Sequence, residues 1–247
     1  MKLLNTTGGN TKIAKSSKSK LGTDKVRIAS LSMMPNIHLC PSQEIAGCRE
    51  ACLVSAGRGR FDNVAQSRQR KTDWFMGDRD GFVVQLRKEM TSFIKTCDRQ
   101  AVKPVFRLNT ISDIQWERLI DIKGEFGDAF LYDYTKLAKR LGRTPDNYKL
   151  MFSFSNASNY RNQLRTALRE NTDTPIAVVF DCEIPETFLG LPVIDGDRSD
   201  IDNVQSGRVI IGLKAKGNAK YDETGFVVRD PKLIERGYGI DLIAVAY

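Results

Sequence analysis

Residues 105–109, VFRLN, begin a series of short apolar runs that decides the fold class of this chain. The later runs are AFLYDY at 129–134, KLMFSFS at 149–155, IAVVFDC at 176–182 and RVIIGLKA at 208–215. Nearly continuous apolar runs are typical of strands buried on both faces, and helical segments between them are typical of parallel βαβ units. We therefore expect an α/β fold on a mainly parallel sheet.

The segments between the runs have helical character, and one of them is strongly periodic. Its apolar residues recur at helical spacing and are Phe82, Val83, Leu86, Met90, Phe93, Ile94 and Cys97. Further helices are expected over 61–75, 116–126 and 159–169. We predict a single domain over residues 25–247. A parallel (β/α) barrel or partial barrel is the preferred architecture, and an open doubly wound sheet is the second.

The first residues differ in composition from the rest of the chain. Residues 6–24 are mostly Gly, Ser, Thr and Lys, so residues 1–24 are predicted to form a flexible basic arm. Residues 1–75 hold 13 Lys and Arg against 5 Asp and Glu, which accounts for the net charge of +8. A localised excess of positive charge favours nucleic acid or a nucleotide as the partner, with a solvated tail as the alternative.

Neither a signal peptide nor an apolar run of about 20 residues is present, so we expect a cytoplasmic protein with no membrane partner. The oligomeric state is not indicated. Clustered cysteines in a reducing compartment favour metal or catalytic chemistry over disulfides. Cys97 and Cys182 stand alone on apolar segments and are predicted to be packed thiols.

The predicted cysteine loop follows the first strand, which ends near Pro35. Its segment 38–52, HLCPSQEIAGCREAC, contains Cys40, Cys48 and Cys52 together with the only histidine, His38. Thiolates suit both zinc and iron–sulfur clusters. A structural zinc site would need His38 as its fourth ligand. A four-iron (4Fe-4S) cluster held by three cysteines would leave one iron open, and we favour this interpretation over zinc.

Several motifs together resemble one family. They are HLCPS at 38–42, GC-x-x-x-C-x-x-x-x-G at 47–57, FRLNTISDIQWE at 106–117, YDYTK at 132–136, VIDGDRSDID at 193–202 and GLKAKG at 212–217. This set is similar to the phage gene product 88 family, from about residue 26 to the end of the chain. The resemblance implies a phage-encoded protein that works in the host cytoplasm.

The layout of a cysteine loop after the first barrel strand also resembles radical S-adenosylmethionine enzymes. The spacing here is Cys-x7-Cys-x3-Cys, whereas those enzymes usually have Cys-x3-Cys-x2-Cys. The resemblance implies an iron–sulfur cluster and S-adenosylmethionine as cofactors. By the same analogy Asn109, Ser112 and Asp113, which follow the second strand, are candidate cofactor-binding residues. Ser112 or Asp113 could equally cap the next helix.

Basic residues crowd the cysteine loop and the helix after it, and they are candidate nucleic-acid-binding residues: Arg49, Arg58, Arg60, Arg68, Arg70 and Lys71. Catalytic residues cannot be assigned. The favoured hypothesis is an iron–sulfur, radical S-adenosylmethionine-like enzyme acting on a nucleotide or nucleic acid. The alternative is a non-catalytic nucleic-acid-binding protein with a structural zinc site.

A third hypothesis is a Mg²⁺-dependent nuclease that uses the carboxylates between 195 and 202. These residues are Asp195, Asp197, Asp200 and Asp202. The preferred interpretation is a turn with caps, and replacing all four by Asn is then expected to leave any activity intact.

Overall fold

A computed structural model describes residues 1–6, 11–170 and 173–238. Residues 7–10 of the predicted arm, and 171–172 and 239–247 of the predicted domain, lie outside the described residues. The strands are β1 (Leu4–Asn5), β2 (Lys20–Leu21), β3 (Asp24–Leu31), β4 (Lys103–Arg107), β5 (Phe130–Thr135), β6 (Tyr148–Ser153), β7 (Ile176–Phe180), β8 (Thr187–Phe188), β9 (Leu191–Asp195), β10 (Ile210–Lys214) and β11 (Val227–Val228).

The helices are α1 (Thr11–Ser16), α2 (Asp62–Gly77), α3 (Arg79–Arg99), α4 (Ile122–Phe126), α5 (Arg161–Glu170), α6 (Asp200–Val204) and α7 (Pro231–Tyr238). The helix predicted over Phe82–Cys97 is α3, and Asp78 caps it by accepting a hydrogen bond from the amide of Gly81. Short 3-10 helices occur at Leu53–Ser55, Gly57–Arg60, Trp116–Arg118, Ala138–Arg140, Ser158–Tyr160 and Gly217–Tyr221. Within the described ranges, no helix is long and apolar enough to cross a membrane.

The strands form one mostly parallel sheet. Its order is β1-β3-β4-β5-β6-β7-β10-β9-β8, with β2 paired to β3 and β11 paired to β7. From β3 to β9 every neighbouring pair along this order is parallel. The mixed α/β fold with a parallel core is therefore confirmed.

The sheet does not close into a barrel. One edge is occupied by β1, which pairs antiparallel with β3 through Leu4 and Leu31. The other edge is occupied by β8, which pairs antiparallel with β9. Because short antiparallel strands take both edges, β3 and β9 do not pair with each other. The barrel prediction is not confirmed.

Both faces of the sheet are covered, which explains why its strands are nearly continuous in apolar residues. Successive residues alternate between faces. On one face Phe106 and Phe152 pack in the core that includes α3 residues such as Leu86. On the other face Val105 and Met151 pack with residues of the two short helices α1 and α6.

The described residues of the predicted flexible arm pack on the domain. Leu3 and Leu4 are buried, and their amide groups donate to the carboxylate of Glu89. Ile13 of α1 is also buried, and the side chain of Ser16 accepts a hydrogen bond from the amide of Asp200. The low apolar content of this segment predicts mobility, whereas its buried aliphatic residues Leu3, Leu4 and Ile13 contact the domain.

Candidate functional site

The cysteine loop, residues 32–61, lies at the carboxyl end of the parallel strands, between β3 and α2. Its carbonyl groups are held by the loops that follow other strands. The Leu39 carbonyl accepts from the amide of Asp113 at 2.8 Å, and the Ala46 carbonyl accepts from the hydroxyl of Ser155 at 2.7 Å. The loops after β4 and β6 therefore fix the position of the cysteine loop.

A second set of contacts joins the cysteine loop to the segment after β10. The hydroxyl of Thr224 donates to the carbonyl of Gly47 at 2.7 Å, and the amide of Asn218 donates to the hydroxyl of Ser55 at 2.9 Å. Gly47 has a φ of +63°, and a Cβ there would lie 2.3 Å from the hydroxyl oxygen of Thr224. Only glycine fits this close approach.

Cys40, Cys48 and Cys52 are free, partly buried thiols that influence one another's ionisation. Burial raises the pKa of all three, and the negative charge of Asp113 further raises the pKa of Cys40. Lys136 acts in the opposite direction on the pKa of Cys48. Without a bound cation the three thiols would therefore stay protonated at neutral pH.

Lys136 follows β5 and places a buried ammonium group beside these thiols. Its Nζ donates to the hydroxyl of Ser153 at 2.8 Å and to the carbonyl of Phe154 at 3.0 Å, and it lies 4.4 Å from the ring centroid of Phe226. Burial lowers the pKa of Lys136 to about 8, although Cys48 and Asp113 oppose the shift. Lys136 follows a parallel strand, and the structure brings it beside Cys48.

Asp113 is a buried support of the same rim. Its carboxylate accepts from the hydroxyl of Thr135, from the amide of Lys136 and from Arg140, whose Nη1 lies 2.6 Å from Oδ1. Arg140 is itself buried and also pairs with Glu117 at 2.8 Å. These contacts tie the loop after β4 to the loop after β5, so Asp113 has a clear structural role.

Asn109 and Ser112, the other candidate cofactor-binding residues, are buried and fully engaged by protein groups. The Asn109 side-chain oxygen accepts from Ser112, from the amide of Ile114 and from the indole of Trp116. Its side-chain nitrogen donates to Ile114 and to Asp133. The two residues organise the loop after β4, and a bound ligand would have to displace these hydrogen bonds.

The candidate basic residues separate into exposed and buried groups. Arg58, Arg60 and Arg70 are exposed, and Arg49 is exposed but paired with Glu44 at 2.7 Å. Lys71 is buried. Its Nζ donates to the carbonyl of Leu3 at 2.8 Å, so Lys71 is not available to nucleic acid in this fold, because it anchors the N-terminal segment.

Arg68 is half-buried, unlike the exposed arginines of this set. Its Nε and Nη1 atoms are buried and have no hydrogen-bond partner among the described residues. Its charge interacts with Cys52. Both Arg68 and Lys71 lie on the face of α2 that contains the buried Thr72 and Phe75.

His38, the fourth ligand of the alternative zinc site, is exposed. In the described part of the chain, no group of three or more His, Cys, Asp and Glu side chains is arranged closely enough to hold a single metal ion. In a zinc site the Zn–S bonds of about 2.3 Å bring the ligand atoms within about 4 Å of one another.

The carboxylates between 195 and 202 have separate partners. Asp195 accepts from the amide of Asp197, and Asp197 pairs with Lys216 at 2.6 Å. The cap in this segment is Ser199, which accepts from the amide of Asp202. A turn with a cap therefore describes all of the segment except Asp200.

Asp200 is fully buried, which distinguishes it from Asp195, Asp197 and Asp202. It pairs with Arg107 at 2.6 Å and Lys12 at 2.7 Å, and it accepts from the hydroxyl of Tyr134 at 2.7 Å. Arg107 is the one buried charged residue of strand β4, and a charged residue at the end of an apolar run indicates a buried partner.

Comparison with known families identifies a match over most of the chain. The family described as Gene product 88 matches residues 2–230. No curated protein and no solved structure matches this chain. Because the match spans most of the chain, including the cysteine loop and the parallel strands, the chain belongs to the Gene product 88 family.

Proposed function

We propose that this chain is a phage-encoded iron–sulfur protein in which Cys40, Cys48 and Cys52 hold a four-iron cluster. The observation that carries the proposal is the buried charge around the three thiols. The Nζ of Lys136 bonds to three oxygen atoms, none of them a carboxylate, and the guanidinium of Arg68 has two unpartnered buried nitrogens. Three thiolates on a cluster would supply the negative charge that these cations lack.

The donor set supports a cluster better than a single zinc ion. Each thiolate of a four-iron cluster binds a different iron, so the three sulfurs are spread further apart than around one zinc. The described thiols interact electrostatically but do not form a single-ion group. His38 is exposed and does not complete a tetrahedral site.

We further propose that the protein is an enzyme of the radical S-adenosylmethionine type, acting on a nucleotide or nucleic acid. A cluster with three protein ligands has one open iron, through which it supplies an electron to a chelated ligand. The three thiols come from a loop over the carboxyl ends of parallel strands, where ligands of α/β folds generally bind. In this proposal the cysteines hold the cluster, Lys136 balances its charge and the exposed arginines recruit phosphate groups.

Anaerobic purification tests the proposal directly. We expect brown protein with roughly four irons and four sulfides per chain, and a spectrum that changes when S-adenosylmethionine is added. A cluster whose spectrum is indifferent to S-adenosylmethionine would retain the iron–sulfur proposal but remove the radical enzyme. Colourless protein with one zinc per chain would contradict both, and it would favour a nucleic-acid-binding protein with a structural zinc.

The surface beside the cysteine loop supports a nucleic-acid partner. Phe61 is 53% exposed and Tyr221 is 81% exposed, and each lies near exposed basic residues. The 3-10 helix that contains Tyr221 packs on the 3-10 helix at Leu53–Ser55. Arginines interleaved with aromatic rings suit single strands, because arginines contact phosphates and rings stack on bases.

Neutralising the exposed arginines should weaken this binding. For the triple variant Arg58→Gln, Arg60→Gln and Arg70→Gln, loss of three phosphate contacts would lower the slope of log K against log salt by about 2. The same loss should reduce affinity for a labelled single-stranded oligonucleotide roughly 100-fold at 0.1 M salt. Fluorescence anisotropy across a salt series measures both quantities.

A matched control carries the same change in net charge on the exposed face of α3: Lys88→Gln, Lys95→Gln and Arg99→Gln. Equal losses in the two triple variants would show that net charge alone drives the binding. Deletion of residues 1–24 is not a suitable test, because it would remove Leu3 and Leu4 from the core.

A further inference from the structure

Arg68 belongs to α2, and its side chain extends toward the turn that follows Cys52. Its backbone carbonyl accepts from the amide of Met34 at 3.3 Å, which holds this part of α2 against the start of the cysteine loop. Its side chain contacts the turn at Gly59. A Cβ on Gly59 would lie 3.0 Å from Nη1 of Arg68 and 2.7 Å from the carbonyl oxygen of Val54. Glycine therefore allows the guanidinium to sit close to the residues just after Cys52.

The environment of this half-buried guanidinium is unusual for a cation. Nε and Nη1 are both inaccessible to solvent and lack hydrogen-bond partners among the described residues. Leaving donors of a charged group buried and unsatisfied costs several kcal/mol, so such groups normally indicate an acceptor that completes the site. Arg68 interacts electrostatically with the thiol of Cys52 and, repulsively, with the ammonium group of Lys71.

We propose that Arg68 is a positioning residue for the iron–sulfur cluster, with one of its two unpartnered donors, Nε or Nη1, hydrogen-bonded to a sulfur atom on the side of Cys52. This inference rests on the proposed function. Arginine holds its N–H donors in fixed directions of one plane, so Nε and Nη1 face different acceptors, whereas lysine has one rotatable ammonium group. The acceptor is a sulfide of the cluster or the thiolate of Cys52, and both become more negative when the cluster is reduced.

A hydrogen bond from Arg68 would raise the reduction potential of the cluster. Hydrogen bonds to the sulfurs and nearby positive charge stabilise the reduced cluster more than the oxidised one, which raises the potential. Arg68 and Lys136 would act from different positions, because Arg68 interacts with Cys52 whereas Lys136 interacts with Cys48. Loss of Arg68 should therefore lower the potential even though Lys136 is still present.

The chain offers a matched control for this test in Arg70. Arg70 is on the same helix, two residues from Arg68, and is exposed. The variants Arg68→Gln and Arg70→Gln change the net charge equally, but only the first removes buried donors next to Cys52. Both are purified without oxygen, and their reduction potentials are measured by anaerobic titration with spectral readout.

We expect Arg68→Gln to hold a cluster that is at least tenfold harder to reduce, which is about 59 mV more negative for one electron. Arg70→Gln should have the same reduction potential as the wild-type protein. Equal potentials in the two variants would overturn the role of Arg68 while leaving the cluster proposal intact. Wild-type protein without iron and sulfide would instead contradict the proposed function, and this inference with it.

If Arg68→Gln does not fold, Arg68→Lys provides the test, because it keeps the charge and loses the fixed N–H donors of the guanidinium. Transfer of iron from the cluster to a chelator should then be several-fold faster than in the wild-type protein, since the cluster is held by fewer hydrogen bonds. A transfer rate equal to that of the wild-type protein would overturn the inference.

Discussion

Replacing Cys40, Cys48 or Cys52 singly by Ala is expected to abolish the brown colour and most of the bound iron. Each thiolate is the only protein ligand of its iron in the proposed site, so two remaining thiolates would leave two irons open to solvent and loss. The measurement is iron and sulfide content together with the visible spectrum of anaerobically purified protein. We expect roughly a tenfold or greater loss of iron for each variant.

Two variants serve as controls. Cys182→Ala removes a half-buried thiol from the end of β7, where its Sγ donates weakly to the carbonyl of Val228, and should keep the full cluster. His38→Ala should also keep it, because His38 is exposed. Retention of iron by all three cysteine variants would reject the cluster. Release of one bound zinc by His38→Ala would identify the structural-zinc protein instead.

The strands that could be predicted from the sequence are those buried on both faces. In β4 the neighbours Val105 and Phe106 lie in different cores, and each therefore had to be apolar. Two-residue strands such as β1 and β8 are too short to have a period. They nevertheless occupy the two edges of the sheet, and the sheet therefore stays open. The pairing of Leu4 with Leu31 joins residues far apart in sequence, so a local pattern does not predict it.

The candidate site was predictable as a set of residue types but not as a set of contacts. Strand order alone places Lys136 and Asp113 on the rim with the cysteines. The count of positive charges could not separate Arg70 from Arg68, because it ignores which face of α2 is buried. The helical spacing of Arg68, Thr72 and Phe75 contained that information, since these positions share one face.

Asp200→Ala is expected to destabilise the fold by about 3–5 kcal/mol, the usual cost of removing one partner from a buried ion pair. The variant leaves the guanidinium of Arg107 and the ammonium of Lys12 without their shared carboxylate, and it also removes the acceptor of the Tyr134 hydroxyl. The quadruple change to Asn, expected from the sequence to be harmless, should therefore fail through Asp200 alone. Urea unfolding followed by circular dichroism measures the loss.

Asp202→Ala is the matched control. Asp202 belongs to the same short helix, but it is exposed, and its carboxylate accepts one hydrogen bond from the hydroxyl of Ser19 at 3.1 Å. Its removal should change the free energy of unfolding by no more than about 0.5 kcal/mol. If Asp200→Ala lowered the free energy of unfolding as little as Asp202→Ala does, the buried ion pair would contribute little and the segment would act only as a turn.

The pH dependence should also identify Asp200. Burial alone would raise its pKa, but Arg107 and Lys12 outweigh burial and hold the pKa below its usual value. A carboxyl whose pKa is lowered in the folded state stabilises the protein above its unfolded pKa of about 3.9, and this contribution is lost as the pH falls through the folded value. The difference in unfolding free energy between wild-type protein and Asp200→Ala should therefore be constant from pH 7 to about 5 and shrink below pH 4. A difference that stays constant down to pH 2 would contradict an ionised Asp200 in the ion pair with Arg107.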